Sequence, residues 1–312
     1  MKTQIKTTFL LTFWFLTSAF SVAGQEKSKT FHQGTEHFRN KEYDEALKCF
    51  EKEYKTNPVI EVKFWIAHTY AEMKQISKAK PLFIEIINSD TNAHEIGMSL
   101  INLGNCYRNT GPTDSAHFYY DRAINEFPNM DGGYFNKAQL LYAESKFEEA
   151  KSLFNKAIDI NPNDWFYYQK RLEVCFATQD YEGALRDLLK VRELVPDIKI
   201  EWNLAFCYSM LERYQEADSV FQLIYNENDA FLLNNYGMNK HKMGKTEEGK
   251  KLIMKSLSIS PGNSYIYRNL AIIAIDEKNN SKACEYLIKA KSLGFEKQYG
   301  TEVNELILKH CE

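Results

Sequence analysis

One tripeptide in the chain, Gly244-Lys245-Thr246, has the residue types that end a phosphate-binding loop. In such a loop, backbone N–H groups surround the phosphates, the lysine contacts them, and the hydroxyl contacts a magnesium ion. The loop also needs a glycine five residues before Gly244, and that position is Asn239. It should follow a strand, whereas the pattern before Gly244 predicts a helix. We therefore expect Gly244 to lie in a turn between helices and expect no nucleotide site.

Other residues able to do acid–base or metal chemistry are scattered. The histidines form no HExxH motif, so the spacing that places two zinc ligands on one helical face is missing. No Gly-x-Ser-x-Gly motif for a nucleophilic serine occurs. We expect no catalytic residue, no metal site and no cofactor. An enzyme or enzyme subunit with a composite site drawn from several helices stays open as a minor alternative. The histidines are His32, His37, His68, His94, His117, His241 and His310.

The charge distribution argues against a nucleic-acid partner. The formal net charge is −3, and nucleic-acid binding would need a basic stripe to contact phosphates. The densest lysine cluster, between Lys240 and Lys251, is short and is offset by acids elsewhere. Apolar residues make up 44% of the chain, which is enough for a buried core, so we expect a folded protein.

The first 23 residues have the pattern of a secretory signal. Lys2 and Lys6 precede the apolar run FLLTFWFLTSAF, and Ser21-Val22-Ala23 then supplies small residues for a peptidase. The run is about 12 residues long, too short to span a bilayer at roughly 20. We expect cleavage after residue 23 and a periplasmic or secreted protein with no membrane span. The alternative is an uncut anchor, which would make the chain a sensory or regulatory ectodomain.

The elements that must position any site repeat along the chain. A small residue recurs about every 34 residues, and a period in this range indicates one supersecondary unit stacked many times. Apolar residues between these points recur at helical spacing, and five prolines fall where the second helix of a unit would end. The small residues are Ala46, Ala79, Ala116, Ala150, Ala184, Ala217, Gly249 and Ala283, and the prolines are Pro58, Pro128, Pro162, Pro196 and Pro261.

One unit carries the fullest pattern, namely Leu103, Gly104, Tyr107, Ala116, Tyr120, Ala123 and Pro128. It resembles the tetratricopeptide repeat, a pair of antiparallel helices. The resemblance implies an all-α, superhelical α-α solenoid of about eight repeats over residues 27–296, with a capping helix at 298–312. The repeats lie near 27–59, 60–93, 97–130, 131–164, 165–197, 198–229, 230–263 and 264–297.

Two departures from the repeat pattern predict local changes. The interval from Ala79 to Ala116 is the longest, and residues 88–92 hold no proline. We expect a longer loop and a change of superhelical pitch there. In the fifth repeat, Arg171 and Leu172 stand where other repeats have a smaller pair, which predicts different packing of that helix.

The resemblance implies that the first helix of each repeat lines a concave groove. Its sixth position is asparagine in five repeats, and in some members of the family such a ladder grips an extended polypeptide backbone. The alternative is that these asparagines are only repeat consensus. Among the aromatic residues of the same helices, Phe135, Tyr142, Trp202 and Phe206 are the expected contacts. The asparagines are Asn102, Asn136, Asn203, Asn235 and Asn269.

We therefore expect a non-catalytic interaction scaffold whose partner is another protein or an extended peptide; the sequence gives no indication of oligomeric state. The clamp that binds chaperone C-termini is not expected, because Ile101 occupies the position of its lysine. The C-terminal pattern that includes Cys284 and Cys311 also resembles that of exported Bacteroidetes-type repeat proteins, which implies a disulfide between these two residues. The other four cysteines are expected to be buried thiols.

Overall fold

A computed structural model of the chain describes residues 28–89 and 93–311. The described residues form eighteen helices and no strand, so the expected all-α fold class is confirmed. None of the described helices has both the length and the apolar character needed to cross a membrane. The expected signal segment at residues 1–23 lies outside the described residues.

The chain divides into two compact units between Cys106 and Tyr107, inside one helix. In the first unit, two helix pairs are joined by short turns and pack on each other. Its helices are α1 (Lys29–Arg39), α2 (Tyr43–Thr56), α3 (Ile60–Glu72), α4 (Ile76–Ile87) and most of α5 (Ala93–Thr110).

The second unit, taken by itself, has α6 (Thr113–Glu126), five helix pairs and a C-terminal cap. Within a pair we call the first helix the A helix and the second the B helix. The other helices are α7 (Asp131–Ala143), α8 (Phe147–Ile160), α9 (Trp165–Ala177), α10 (Tyr181–Leu194), α11 (Glu201–Met210), α12 (Tyr214–Leu223), α13 (Ala230–Lys242), α14 (Thr246–Ile259), α15 (Ser264–Asp276), α16 (Asn280–Ser292), α17 (Phe295–Tyr299) and α18 (Glu302–His310).

The recurring small residue of the B helices is buried in every repeat. The seven alanines at this position have no exposed surface. In α13 and α14 both sides of the contact between the two helices are glycine, because a Cβ added to Gly249 would lie 2.4 Å from the carbonyl oxygen of Gly237. That distance is well below van der Waals contact, so backbone packing requires glycine here and small residues at the matching positions.

The turn between A and B helices explains Gly244. In six of these turns, the residue five positions before the small B-helix residue has a φ between 57° and 63°. In the turn between α13 and α14 the equivalent residue is Gly244, with a φ of 81°. The left-handed conformation ends the A helix and reverses the chain. Gly244-Lys245-Thr246 is therefore the ordinary turn of the repeat. The six other residues are Lys41, Lys74, Ser145, Gln179, Glu212 and Lys278.

The long interval after Ala79 is taken up mainly by a helix. Helix α5 has 18 residues, whereas the other A helices have between 10 and 13. Residues 90–92 of the expected loop lie outside the described residues, and the helix begins directly after them. Because the greater part of the expected loop is not described, the longer loop stays a prediction. The predicted change of pitch stays a prediction.

The fifth repeat closes its helix pair with an ion pair. The Arg171 guanidinium donates from Nε to Asp187 at 2.9 Å and from Nη1 to the Asn155 side chain at 2.6 Å. Asp187 is 2% exposed, and burial raises its pKa although Arg171 acts in the opposite direction. Leu172 is buried in the same core. The arginine of α9 thus pairs with a buried aspartate of α10.

The C-terminal cap packs on the last helix pair. Helix α18 contacts α16, and a buried cluster forms from Ala271, Leu287, Ala290, Phe295 and Val303. A disulfide joins Cys284 in α16 to Cys311 at the end of α18, with the two Cα atoms 5.4 Å apart.

The other four cysteines, all within the described part of the chain, are not in disulfides. Cys106, Cys175 and Cys207 are buried, and Cys49 is half-buried. Burial raises the pKa of Cys106 and Cys175 to about 11 and that of Cys207 to about 12, so these three thiols are poor nucleophiles.

Candidate functional site

The residues that the sequence assigned to partner binding lie on the A helices. In the second unit, ring contacts link one A helix to the next: Phe135 to Phe166, Phe176 to Phe206, and Trp202 to Phe231. We call the surface of α7, α9, α11, α13 and α15 the A-helix face.

The asparagine row is not a uniform ladder. Nδ2 of Asn102, in the first unit, donates to its own helix at the carbonyl of Met98, 2.8 Å away. In the second unit, Asn136 and Asn235 each donate in the same way to the carbonyl four residues earlier, also at 2.8 Å. One amide hydrogen of each is therefore used within the helix, while the side-chain oxygen keeps its acceptor capacity.

The remaining two asparagines differ from each other. Asn203 is half-buried on α11. Asn269 is 1% exposed and accepts a hydrogen bond from Nη1 of Arg268 at 2.9 Å. Its amide is therefore not presented to a ligand. In the second unit, the row narrows to the half-buried Asn136, Asn203 and Asn235.

The aromatic candidates separate into core and surface. Phe135 is 8% exposed and stacks on Tyr167 with ring centroids 4.6 Å apart, so it belongs to the core and its expected contact role is corrected. Tyr142 is half-buried against Phe147. Phe206 is 36% exposed, and Trp202 lies half-buried one turn before it.

An open depression of about 430 Å³ lies at the N-terminal ends of α11 and α13. Trp202, Ile224 and Phe231 form its apolar lining, and Glu201 and Asp229 lie at its polar edge. Phe231 is 53% exposed. The sequence pattern placed Phe231 among the aromatic residues of the A helices but did not single it out. The two acids lie at the starts of α11 and α13, at positions that the repeat pattern does not constrain.

Both acids stand at helix starts. Asp229 caps α13, where its Oδ1 accepts from the N–H of Leu232 at 3.0 Å, and Glu201 is the first residue of α11. These positions favour negative charge because of the helix dipole. In the described part of the chain, no lysine, arginine or histidine nitrogen pairs with either carboxylate. Lys199, also at the edge, is exposed.

One hydroxyl–imidazole–carboxylate series occurs elsewhere in the unit. His241 lies 3.0 Å from the Thr246 hydroxyl through Nδ1 and 2.9 Å from Asp276 through Nε2. The imidazole side chain is only 8% exposed, and Asp276 also pairs with Lys242. The series therefore ties the α13–α14 turn to the end of α15. Among the described residues, no cluster of His, Cys, Asp or Glu could hold a metal ion.

Comparison with known proteins identifies the repeats. Residues 199–263 match the profile of YpiA-like C-terminal tetratricopeptide repeats, and residues 132–164 and 98–129 match tetratricopeptide repeat profiles. The chain is 26% identical over 297 residues to the human protein O-mannosyl-transferase TMTC3, covering 85% of this chain and 30% of the relative. It is 25% identical to the TPR repeat-containing protein YpiA of Bacillus subtilis, covering 62% of this chain and 47% of YpiA. The chain thus spans less than half of each relative.

Solved structures with a similar course of the chain are also repeat proteins. A tetratricopeptide repeat protein from Parabacteroides merdae is 20% identical, with a TM-score of 0.47, covering 80% of this chain and 98% of the other. YrrB, described as a tetratricopeptide repeat protein with an unusual peptide-binding site, is 21% identical with a TM-score of 0.42, covering 60% of this chain and 97% of YrrB.

Proposed function

The chain belongs to the tetratricopeptide repeat family, and from that premise we propose that it is a non-catalytic scaffold that binds an extended polypeptide segment of another protein. The binding surface is the part of the A-helix face formed by α11 and α13. The observation that carries the proposal is the group of aromatic side chains that reach solvent there, Trp202, Phe206 and Phe231. Exposed aromatic residues of this kind are typical of protein contact surfaces.

The contrast with neighbouring A helices supports this location. Aromatic residues of α7 and α9, such as Phe135 and Tyr167, are buried against each other. Phe206 and Phe231 instead keep 36% and 53% of their surface exposed. Asn203 and Asn235 lie on the same two helices, and a side-chain amide can pair with a backbone without reading its sequence. The aromatic rings would contribute affinity and the amides would form hydrogen bonds with the ligand backbone, which together suit an extended segment.

The experiment is a selection of phage-displayed random dodecapeptides on the purified chain, followed by affinity measurement for the best binders. We expect the double variant Trp202→Ala/Phe206→Ala to bind them at least tenfold more weakly, because truncating a central aromatic contact costs about 2 kcal/mol or more. The matched control is Phe118→Ala on the B helix α6, whose ring is 56% exposed. Equal affinity of the double variant and the control would refute the proposed surface.

We also propose that the protein is exported. The disulfide between Cys284 and Cys311 supports an oxidising compartment, since such bonds persist in the periplasm and outside cells and are rare in the cytosol. Mass spectrometry of the protein from its native cell tests the proposal: a mature chain that begins at Gly24 would support it. A chain that keeps residues 1–23 would favour an anchored ectodomain instead.

A further inference from the structure

We infer that the depression between the N-terminal ends of α11 and α13 receives an arginine side chain of the bound polypeptide. This inference rests on the proposed function and names the residue type that the surface recognises. The occupant follows from the two kinds of group that meet there, aromatic rings and unpaired carboxylates.

The rings form the inner wall. The centroids of Trp202 and Phe231 are 4.8 Å apart, with their planes inclined by 48°, and the buried Phe221 supports the indole from behind at 6.2 Å. A ring that is 53% exposed, as Phe231 is, cannot be covered on both faces. An open aromatic face attracts a guanidinium or ammonium group through its quadrupole.

The carboxylates form the edge. Glu201 and Asp229 line the depression, and neither has a cationic partner in the part of the chain that the structure describes. Asp229 uses Oδ1 to cap α13, which leaves Oδ2 for a ligand. A guanidinium offers five N–H donors in a planar group that can lie on a ring and donate to a carboxylate at its edge. Lysine supplies only a point charge.

An anionic side chain does not suit this position. The N-terminal ends of α11 and α13 would attract an anion, but Glu201 and Asp229 already occupy them. Lys199 is the cation at the edge, and its side chain is exposed. The nearby Lys255 is paired with Glu227 at 2.7 Å. Two unpaired carboxylates against one exposed lysine favour a cationic guest.

The first test uses N-acetyl-arginine amide as the probe and the indole N–H signal of Trp202 as the readout, with that signal assigned from Trp202→Phe. We expect arginine amide to shift the signal and N-acetyl-norleucine amide to leave it unchanged. The shift should shrink with added salt, which screens charge. A signal that responds to norleucine amide as strongly as to arginine amide, or to neither, would overturn the inference.

The second test uses the selected dodecapeptides and charge-neutral variants. We expect arginine to be enriched among the binders, and Glu201→Gln/Asp229→Asn to weaken them about tenfold, since hydrogen bonds to charged groups are roughly twice as strong as neutral ones. Asparagine remains a good helix cap, so the fold is retained. Glu227→Gln on the same loop is the matched control.

Binders that lack arginine and bind the double variant as tightly as the wild type would overturn the inference while leaving the proposed function intact. A library that yields no binders would refute the proposed function itself, whereas the arginine amide titration is independent of it.

Discussion

The A-helix face is exposed at α11 and α13 but is contacted by the C-terminal cap at α15. The two regions nevertheless have an aromatic residue at the same repeat position. Phe231 and Tyr265 are each the second residue of an A helix. The ring of Phe231 is 53% exposed. Tyr265 instead stacks on Phe295 and lies 5.1 Å from the ring of Tyr299, both in α17.

The difference comes from the segment that succeeds each helix pair along the chain. After α11–α12, another complete pair continues the stack, and the A-helix face stays free. After α15–α16, the five-residue α17 lies between two left-handed glycines, Gly294 with φ 81° and Gly300 with φ 88°. These turns bring α17 over Tyr265 and let Glu302 pair with Arg268. The same register position can thus serve as a ligand surface or as an anchor for the cap.

The largest expected effect is on the covered region. Phe295→Ala removes a ring with no exposed surface, and such truncations cost about 3–5 kcal/mol. We expect the free energy of unfolding to fall by that amount and the amide protons of α17 and α18 to exchange much faster. Hydrogen exchange with denaturant titration measures both.

The control for this prediction is the open region itself. Phe231→Ala removes a ring of the same size from a surface that is already half-exposed, so we expect the free energy of unfolding to change by under about 1 kcal/mol. A similar loss of stability in Phe231→Ala and Phe295→Ala would contradict the prediction. Phe231 would then be a core residue, and its ring would not be part of a binding surface.

The disulfide gives the next effect. Cys284 and Cys311 are 27 residues apart, and a bond that closes such a loop stabilises by about 3–4 kcal/mol in the chain-entropy model. Cys284→Ser should destabilise α18 by this amount and increase hydrogen exchange in it, with no change at α11. Cys49→Ser, which removes a half-buried free thiol, is the control. Unchanged exchange in α18 would mean that packing alone holds the cap.

The repeat pattern predicted the architecture well because it depends on short-range rules. Ala46 and Gly249 mark where two helices touch, and that contact requires small residues in every repeat. Exposure on the A-helix face depends on distant residues. Asn235 and Asn269 occupy the same repeat position, yet only Asn269 is buried. Its side-chain oxygen accepts from Arg268, which in turn pairs with Glu302 of the cap. Phe135 was misassigned for a similar reason: Tyr167, in the next repeat, covers it.

A smaller effect is expected at the ion pair between α15 and the cap. Arg268 donates from Nε to Glu302 at 3.0 Å, and Glu302 is 42% exposed. Partly exposed pairs of this kind contribute about 1 kcal/mol or less. A double-mutant cycle with Arg268→Gln and Glu302→Gln measures the coupling. A coupling energy near zero would mean that the ion pair does not help to hold the cap on α15, and that ring packing by α17 does.

The smallest effect concerns the link between the open and covered regions. Asp276 ends α15 and bonds His241 of α13 at 2.9 Å. Burial tends to raise its pKa, but the bond to His241 and the charge of Lys242 prevail, so the pKa lies below its ordinary value of 3.8. A carboxyl whose pKa is lowered on folding stabilises the fold above the unfolded-state pKa, and this stability is lost as pH falls through the folded-state pKa. Because the side chain is 46% exposed, we expect its contribution to the free energy of unfolding to be under about 1 kcal/mol.

The stability of the wild type should therefore decline below about pH 4, and Asp276→Asn should remove the part of that decline that comes from this carboxylate. If Asp276→Asn removes no part of the acid decline, the contact between His241 and Asp276 does not stabilise the fold. Packing of α13 on α15 would then be what joins the two regions.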